Sequence, residues 1–74
     1  MLQQIFGKVV RELRIEKGIT QEKLAELADL DRAFIYHLEA GNKEPSLTTI
    51  FKISDGLKVS PSVIIGKIDE IRRG

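Results

Sequence analysis

The side chains of this chain best equipped to act on another molecule crowd between Thr20 and Lys43, and their chemistry is hydrogen bonding and charge. Thr20, Gln21, Arg32, Tyr36, His37, Asn42 and Lys43 supply donors and acceptors, with the small Ala33 set among them. The groups that make and break bonds are missing. His37 is the single histidine and there is no cysteine, so neither a disulfide framework nor a thiolate zinc site can form. No glycine-rich phosphate loop or metal-ligand cluster stands in the sequence. Glu12/Glu16 and Asp69/Glu70 read as solvated helix charges rather than acid–base pairs. Neither an enzyme nor a cofactor is expected, and no pocket for a small molecule is evident.

Charge adds a second constraint. The net charge is +1 at pH 7, and it is unevenly spread. Between residues 20 and 45, Lys23, Arg32 and Lys43 face Glu22, Glu26, Asp29, Asp31, Glu39 and Glu44. If this stretch meets a polyanion, neutralisation must come from a few placed cations, backbone amides and helix N-termini, not from a broad basic field.

With 74 residues the chain is expected to be a single domain with a limited core. A shared interface with a second copy would then add stability. No stretch approaches the ~20 apolar residues of a membrane helix, and the N-terminus lacks the pattern of a signal peptide. A cytoplasmic location is the default expectation, with no membrane partner.

Hydrophobic spacing predicts the elements that position the polar cluster. Leu2, Ile5, Phe6, Val9, Val10 and Leu13 share one helical face, and Gly18 ends that helix. Thr20 caps a second helix carrying Leu24, Ala25, Leu27 and Ala28; Asp31 caps a third with Phe34, Ile35 and Leu38 as inward residues, ended by Gly41. Ser46 caps a fourth with Leu47, Ile50, Phe51, Ile53 and Leu57. Ser60-Pro61 starts a fifth, over about 60–72, with Val63, Ile64, Ile65, Ile68 and Ile71. No segment alternates with period two for long enough to be a strand. The fold class is all-α, with five helices.

Two short helices joined by a tight turn over 20–41 must pack across one another, which leaves the second projecting its outer face. A helix so presented fits the major groove of B-DNA. Here the sequence resembles the Cro/phage-repressor, or XRE-type, helix-turn-helix family. The resemblance rests on Arg11 and Arg14 before Gly18, on Thr20-Gln21, Leu24-Ala25 and Ile35, and on Leu38-Glu39-Ala40-Gly41. It continues through Pro45, Leu47 and Ile50 to Leu57-Lys58-Val59-Ser60. In length and in its fifth helix the chain most resembles controller proteins of restriction–modification systems.

That resemblance implies a compact repressor-like domain whose second and third helices bind a double-stranded operator. Gln21 matches a glutamine that bonds a phosphate and braces base-reading side chains, with Thr20 beside it. Arg32 and Ala33 match base-contacting positions: an arginine there can pair with guanine O6 and N7 or with a phosphate, and an alanine methyl can pack on a thymine methyl. Tyr36 and His37, one turn on, could reach a base edge or the backbone. Asn42 and Lys43 match a loop that meets the backbone. Arg14 and Glu39 match a partly buried ion pair clamping the first helix to the third. Asp29 stands where the family's turn usually has glycine, a position that often needs positive φ. Phe34 and Tyr36 are bulkier than many equivalents, so the bases read cannot be carried over.

One such helix covers only a few base pairs. Two related by a two-fold axis would contact half-sites ~34–36 Å apart, so a homodimer is expected. Val63, Ile64, Ile65, Ile68 and Ile71 form its candidate seam, since they exceed what one side of a terminal helix needs. RNA polymerase enters only as a candidate partner, because the chain does not reveal activation or repression. The competing reading is an antitoxin-like or adaptor module whose main partner is a protein, favoured by the acidic balance of residues 20–45.

Overall fold

Each helix after the first begins where a short polar side chain replaces a missing backbone partner. The computed structural model describes residues 1–74, and its elements are α1 (Leu2–Glu16), α2 (Gln21–Ala28), α3 (Arg32–Glu39), α4 (Leu47–Leu57) and α5 (Pro61–Arg73). Thr20 Oγ1 accepts from the Lys23 amide and Asp31 Oδ1 from the Ala33 amide; Ser46 Oγ accepts from Thr49 and Ser60 Oγ from Ser62. The first three are the caps the sequence predicts, Ser60 caps the helix whose start Ser60-Pro61 marks, and each is worth about 1 kcal/mol.

The helices also end alike. After α1, α2, α3 and α4 the chain turns through a left-handed residue: Gly18, Asp29, Gly41 and Lys58. Each turn is closed by a pair of backbone bonds reaching back into the helix. After α3, for example, Gly41 N–H donates to Leu38 O and Asn42 N–H to His37 O. Glycine carries two of these turns without strain. Asp29 at φ 56° and Lys58 at φ 59° carry the other two, at some cost for a residue with a Cβ.

One core of 12 buried residues draws on all five helices: Phe6, Val9, Val10 and Leu13 from α1, Leu24, Ala25 and Ala28 from α2, Ile35 and Leu38 from α3, Ile53 and Leu57 from α4, and Ile64 from α5. α1 lies against α3 and α5, and α2 against α3 and α4. Two contacts are too close for side chains. A Cβ on Gly7 would overlap the Leu38 carbonyl oxygen, and one on Gly56 would press on Leu24 and Ala28. α1 therefore meets the end of α3 backbone to backbone. No helix is long and apolar enough to cross a membrane.

One expectation changes, and two apolar patterns gain a direction. Ile64, counted in the candidate seam, has no exposed surface and belongs to the core of its own chain. Leu47 and Phe51, two of the apolar residues that α4 carries, are 71% and 51% exposed. At 100° per residue, α4 already fills its inner face with Thr49, Ile53, Gly56 and Leu57. Leu27, likewise, faces outward from α2, whose core side is taken by Leu24, Ala25 and Ala28.

Candidate nucleic-acid interface

The polar cluster is built on a clamp of four side and main chains. Arg14, at the end of α1, places its guanidinium fork on Glu39 of α3: Nε donates to Oε2 at 2.6 Å and Nη2 to Oε1 at 3.0 Å. Its Nη1 donates to the Ile19 carbonyl at 2.8 Å, fixing the loop before α2. Gln21, the first residue of α2, donates from Nε2 to Glu39 Oε1 at 3.1 Å. The Arg14 and Glu39 side chains keep only 13% and 3% of their surface exposed. Three helices are thus pinned at one carboxylate. Planar, two-point Arg–carboxylate pairing resists rotation as well as separation. The Gln21 contact is a tertiary one that spacing could not have revealed, although both residues stood out in the sequence.

Beside the clamp lies a shallow polar cleft lined by Arg14, Thr20, Gln21, Glu22 and Arg32. Arg32 and Ala33 open α3 and are exposed. Tyr36, one turn on, is 55% exposed. Ile35 and Leu38 are wholly buried, so the burial pattern of α3 separates an anchored face from an outward one. Phe34 is half-buried against the core. His37 is half-buried too; its ring meets Tyr36 edge-on, with centroids 5.3 Å apart, and Asn42 Nδ2 lies 3.4 Å from its Nδ1. Tyr36 therefore presents itself freely, while His37 and Asn42 hold one another. Lys43 is exposed in the loop that follows. Two carboxyls are held below their usual range: Glu26 by the hydrogen bond and charge of Lys23, and Asp69 chiefly by the hydrogen bond from Arg72. Neither lines the cleft.

A second concavity, of about 650 Å³, opens between the start of α1, the loop before α4, and α5. Leu2, Phe6, Pro45, Ile50, Ile65 and Ile68 make its apolar lining. Val63 and Ile71 do not line it: Val63 sits about 160° around α5 from Ile65, and Ile71, seven residues after Ile64, lies about 120° the other way, on the Ile64 side of the helix. The candidate seam residues thus divide three ways, into the core (Ile64), the groove (Ile65, Ile68) and positions outside both (Val63, Ile71).

A helix presented outward by two crossing neighbours, and pinned by a buried Arg–Glu pair, agrees with what comparison finds: residues 10–64 match the family described as Helix-turn-helix. The chain belongs to that family. Its XRE-type resemblance and its five-helix fold are both borne out. The chain is similar to control protein C.BamHI of Bacillus amyloliquefaciens, 42% identical over 62 residues that span 82% of this chain and 76% of that protein. The restriction–modification controller protein C.AhdI of Aeromonas hydrophila superposes with a TM-score of 0.81 at 39% identity, over 84% of this chain and 94% of the other. Controller protein C.Esp1396I, solved as a tetramer in complex with its natural 35 base-pair operator, superposes with a TM-score of 0.88 at 31% identity, over 95% and 92% of the two chains.

Proposed function

We propose that this chain is a sequence-specific DNA-binding transcriptional regulator, a restriction–modification controller acting in the cytoplasm on its own promoter. It reads a palindromic operator as a homodimer, with α3 of each copy in a major groove. The observation that carries this reading is the outward face of α3, where Arg32, Ala33 and Tyr36 stand free on a helix fixed to α1 and α2 by the Arg14–Glu39–Gln21 clamp. Because the scaffold is set before DNA arrives, little ordering opposes binding.

Roles follow from position. Arg32 can donate two parallel hydrogen bonds to guanine, and the Ala33 methyl can meet a thymine methyl. Thr20 and Gln21, at the start of α2, receive a phosphate with the help of the helix dipole. Asn42 and Lys43 flank the backbone, and His37 supports Tyr36 and Asn42. Regulation then rests on protein concentration and on encounter with RNA polymerase at the shared promoter.

The second copy is placed on the apolar groove. Ile65 and Ile68 line it, with Leu2 and Ile50 opposite, and the outward Leu47 and Phe51 extend the uncovered apolar surface along α4. A monomeric protein seldom leaves so much contiguous apolar surface in water. The seam therefore includes α4 and α1 as well as α5, and it leaves Val63 and Ile71 outside the groove.

Selection of bound duplexes from a random DNA pool, repeated with Arg32→Ala, tests the reading. The expected result is a palindromic motif bound in the nanomolar range. One position per half-site should blur in the variant, at a cost of about 1–3 kcal/mol. Absence of any enriched motif across a range of salt would overturn it and point to a protein partner instead.

A further inference from the structure

The cleft beside the clamp contains one residue that a phosphate-binding surface would not be expected to hold. Glu22 lies there with Arg14, Thr20, Gln21 and Arg32. Its carboxylate makes no ion pair and accepts no hydrogen bond, since the salt bridges of the chain join Arg14 to Glu39, Lys23 to Glu26, and Arg72 and Arg73 to Asp69. Arg14 is committed to Glu39 and to the Ile19 carbonyl. The one uncommitted cation of the cleft is Arg32, and the one uncommitted anion is Glu22.

Each of these charges responds differently to different DNA. With α3 in a major groove as proposed above, the Glu22 carboxylate beside Thr20 and Gln21 would meet backbone phosphates and oppose them, whatever the sequence. A guanidinium that reaches guanine O6 and N7 uses only part of its five-donor fork, and the remaining N–H groups need an acceptor. Glu22, which shares the cleft and is not paired with Arg32 in the unbound chain, can supply it, and charge-assisted pairing of this kind fixes the plane of a guanidinium. Where no guanine is offered, Arg32 turns to a phosphate and the carboxylate is left as repulsion alone.

We propose that Glu22 is a positioning residue for Arg32 that sharpens sequence discrimination: it braces the arginine on the operator and penalises every other duplex. The proposal rests on the operator-reading function described above. Glu22 also sits in the first turn of α2, where an acid favours the helix dipole. That structural contribution acts on folding alone and cannot distinguish one duplex from another.

The test measures the wild-type chain, Glu22→Gln, Glu22→Asp, Arg32→Ala and the Glu22→Gln/Arg32→Ala double variant. Each is assayed against its selected operator and against a random duplex of equal length, over a salt series. Glu22→Gln is expected to bind the random duplex roughly three- to tenfold more tightly, with a log K versus log salt slope steeper by up to about one. On the operator it binds more weakly by a similar factor, so the ratio falls by an order of magnitude or more. Glu22→Asp restores part of that ratio. In the Arg32→Ala background the operator penalty of Glu22→Gln disappears. Affinities for both duplexes that move together, or do not move, overturn the proposal while leaving the operator reading intact. A wild-type chain that selects no motif removes the operator reading itself.

Discussion

Two exposed concavities of this domain solve opposite problems. The cleft around Arg14, Gln21 and Arg32 is polar, and its inner members are tied to one another. The groove along α5 is apolar, and nothing in the chain covers it. Hydrogen-bonded surfaces gain selectivity from fixed geometry, because a misplaced donor against a base edge is an unsatisfied one. Apolar contact is less directional, and its strength follows the area removed from water. A reading face must therefore be rigid within one chain, whereas an association face needs only complementary shape in a second chain.

The polar face depends most on the clamp. Glu39→Ala leaves the Arg14 guanidinium nearly buried without its anion, and should cost about 3 kcal/mol. In a domain this small that lowers Tm by more than ~10 °C in a thermal melt at fixed protein concentration. A melt within a degree of wild type would show that the pair does not hold α1 to α3. Gly7→Ala strikes the same junction through the backbone, since the new methyl meets the Leu38 carbonyl oxygen. About 1–3 kcal/mol should be lost in urea unfolding, with operator affinity reduced further because α3 must shift to make room.

The apolar side should respond differently. Ile65 is half exposed, so Ile65→Asp is expected to leave the monomer within about 0.5 kcal/mol of its stability. Sedimentation should nevertheless show monomer where wild type sediments as dimer. A persisting dimer would move the seam off the groove, to surface that includes the part-exposed Val63 or Ile71. Ile68 is a poorer probe, because it also packs against the core. Smallest of all, Asp29→Gly and Lys58→Gly relieve left-handed backbone at the ends of α2 and α4. Each should gain up to about 1 kcal/mol, read as a higher urea midpoint with an unchanged slope.

Much of the fold was legible because helix ends are local chemistry. Thr20, Asp31, Ser46 and Ser60 cap the helices they precede, and Asp29 adopts the positive φ its place in the turn implies. The distribution of apolar residues was less so. Val63, Ile64 and Ile65 are consecutive and sweep about 200° of α5, so periodicity cannot tell which one enters the core. Leu47 and Phe51 are apolar on a face that the monomer does not need. Hydrophobicity alone does not say whether the covering surface belongs to the same chain or to another. The candidate site divides in the same way. Arg14, Glu39, Gln21 and Arg32 were singled out by type and position, but the shared carboxylate oxygen and the company of Glu22 arise only when α1, α2 and α3 meet.

The junction at Gly7 has a consequence for how such a sequence can drift. Where side chains space two helices, each exchange of Leu for Ile or Val moves the axes by some fraction of an ångström. Here carbonyl oxygens of α3 rest on bare backbone of α1, so the gauge between them is set by atoms that every residue type shares. Substitutions elsewhere in the interior can then accumulate and change how firmly the domain holds together, while the pitch at which α3 is offered stays put. Inheritance of an operator and turnover of a core become separable, with a single hydrogen atom at position 7 as the reference mark.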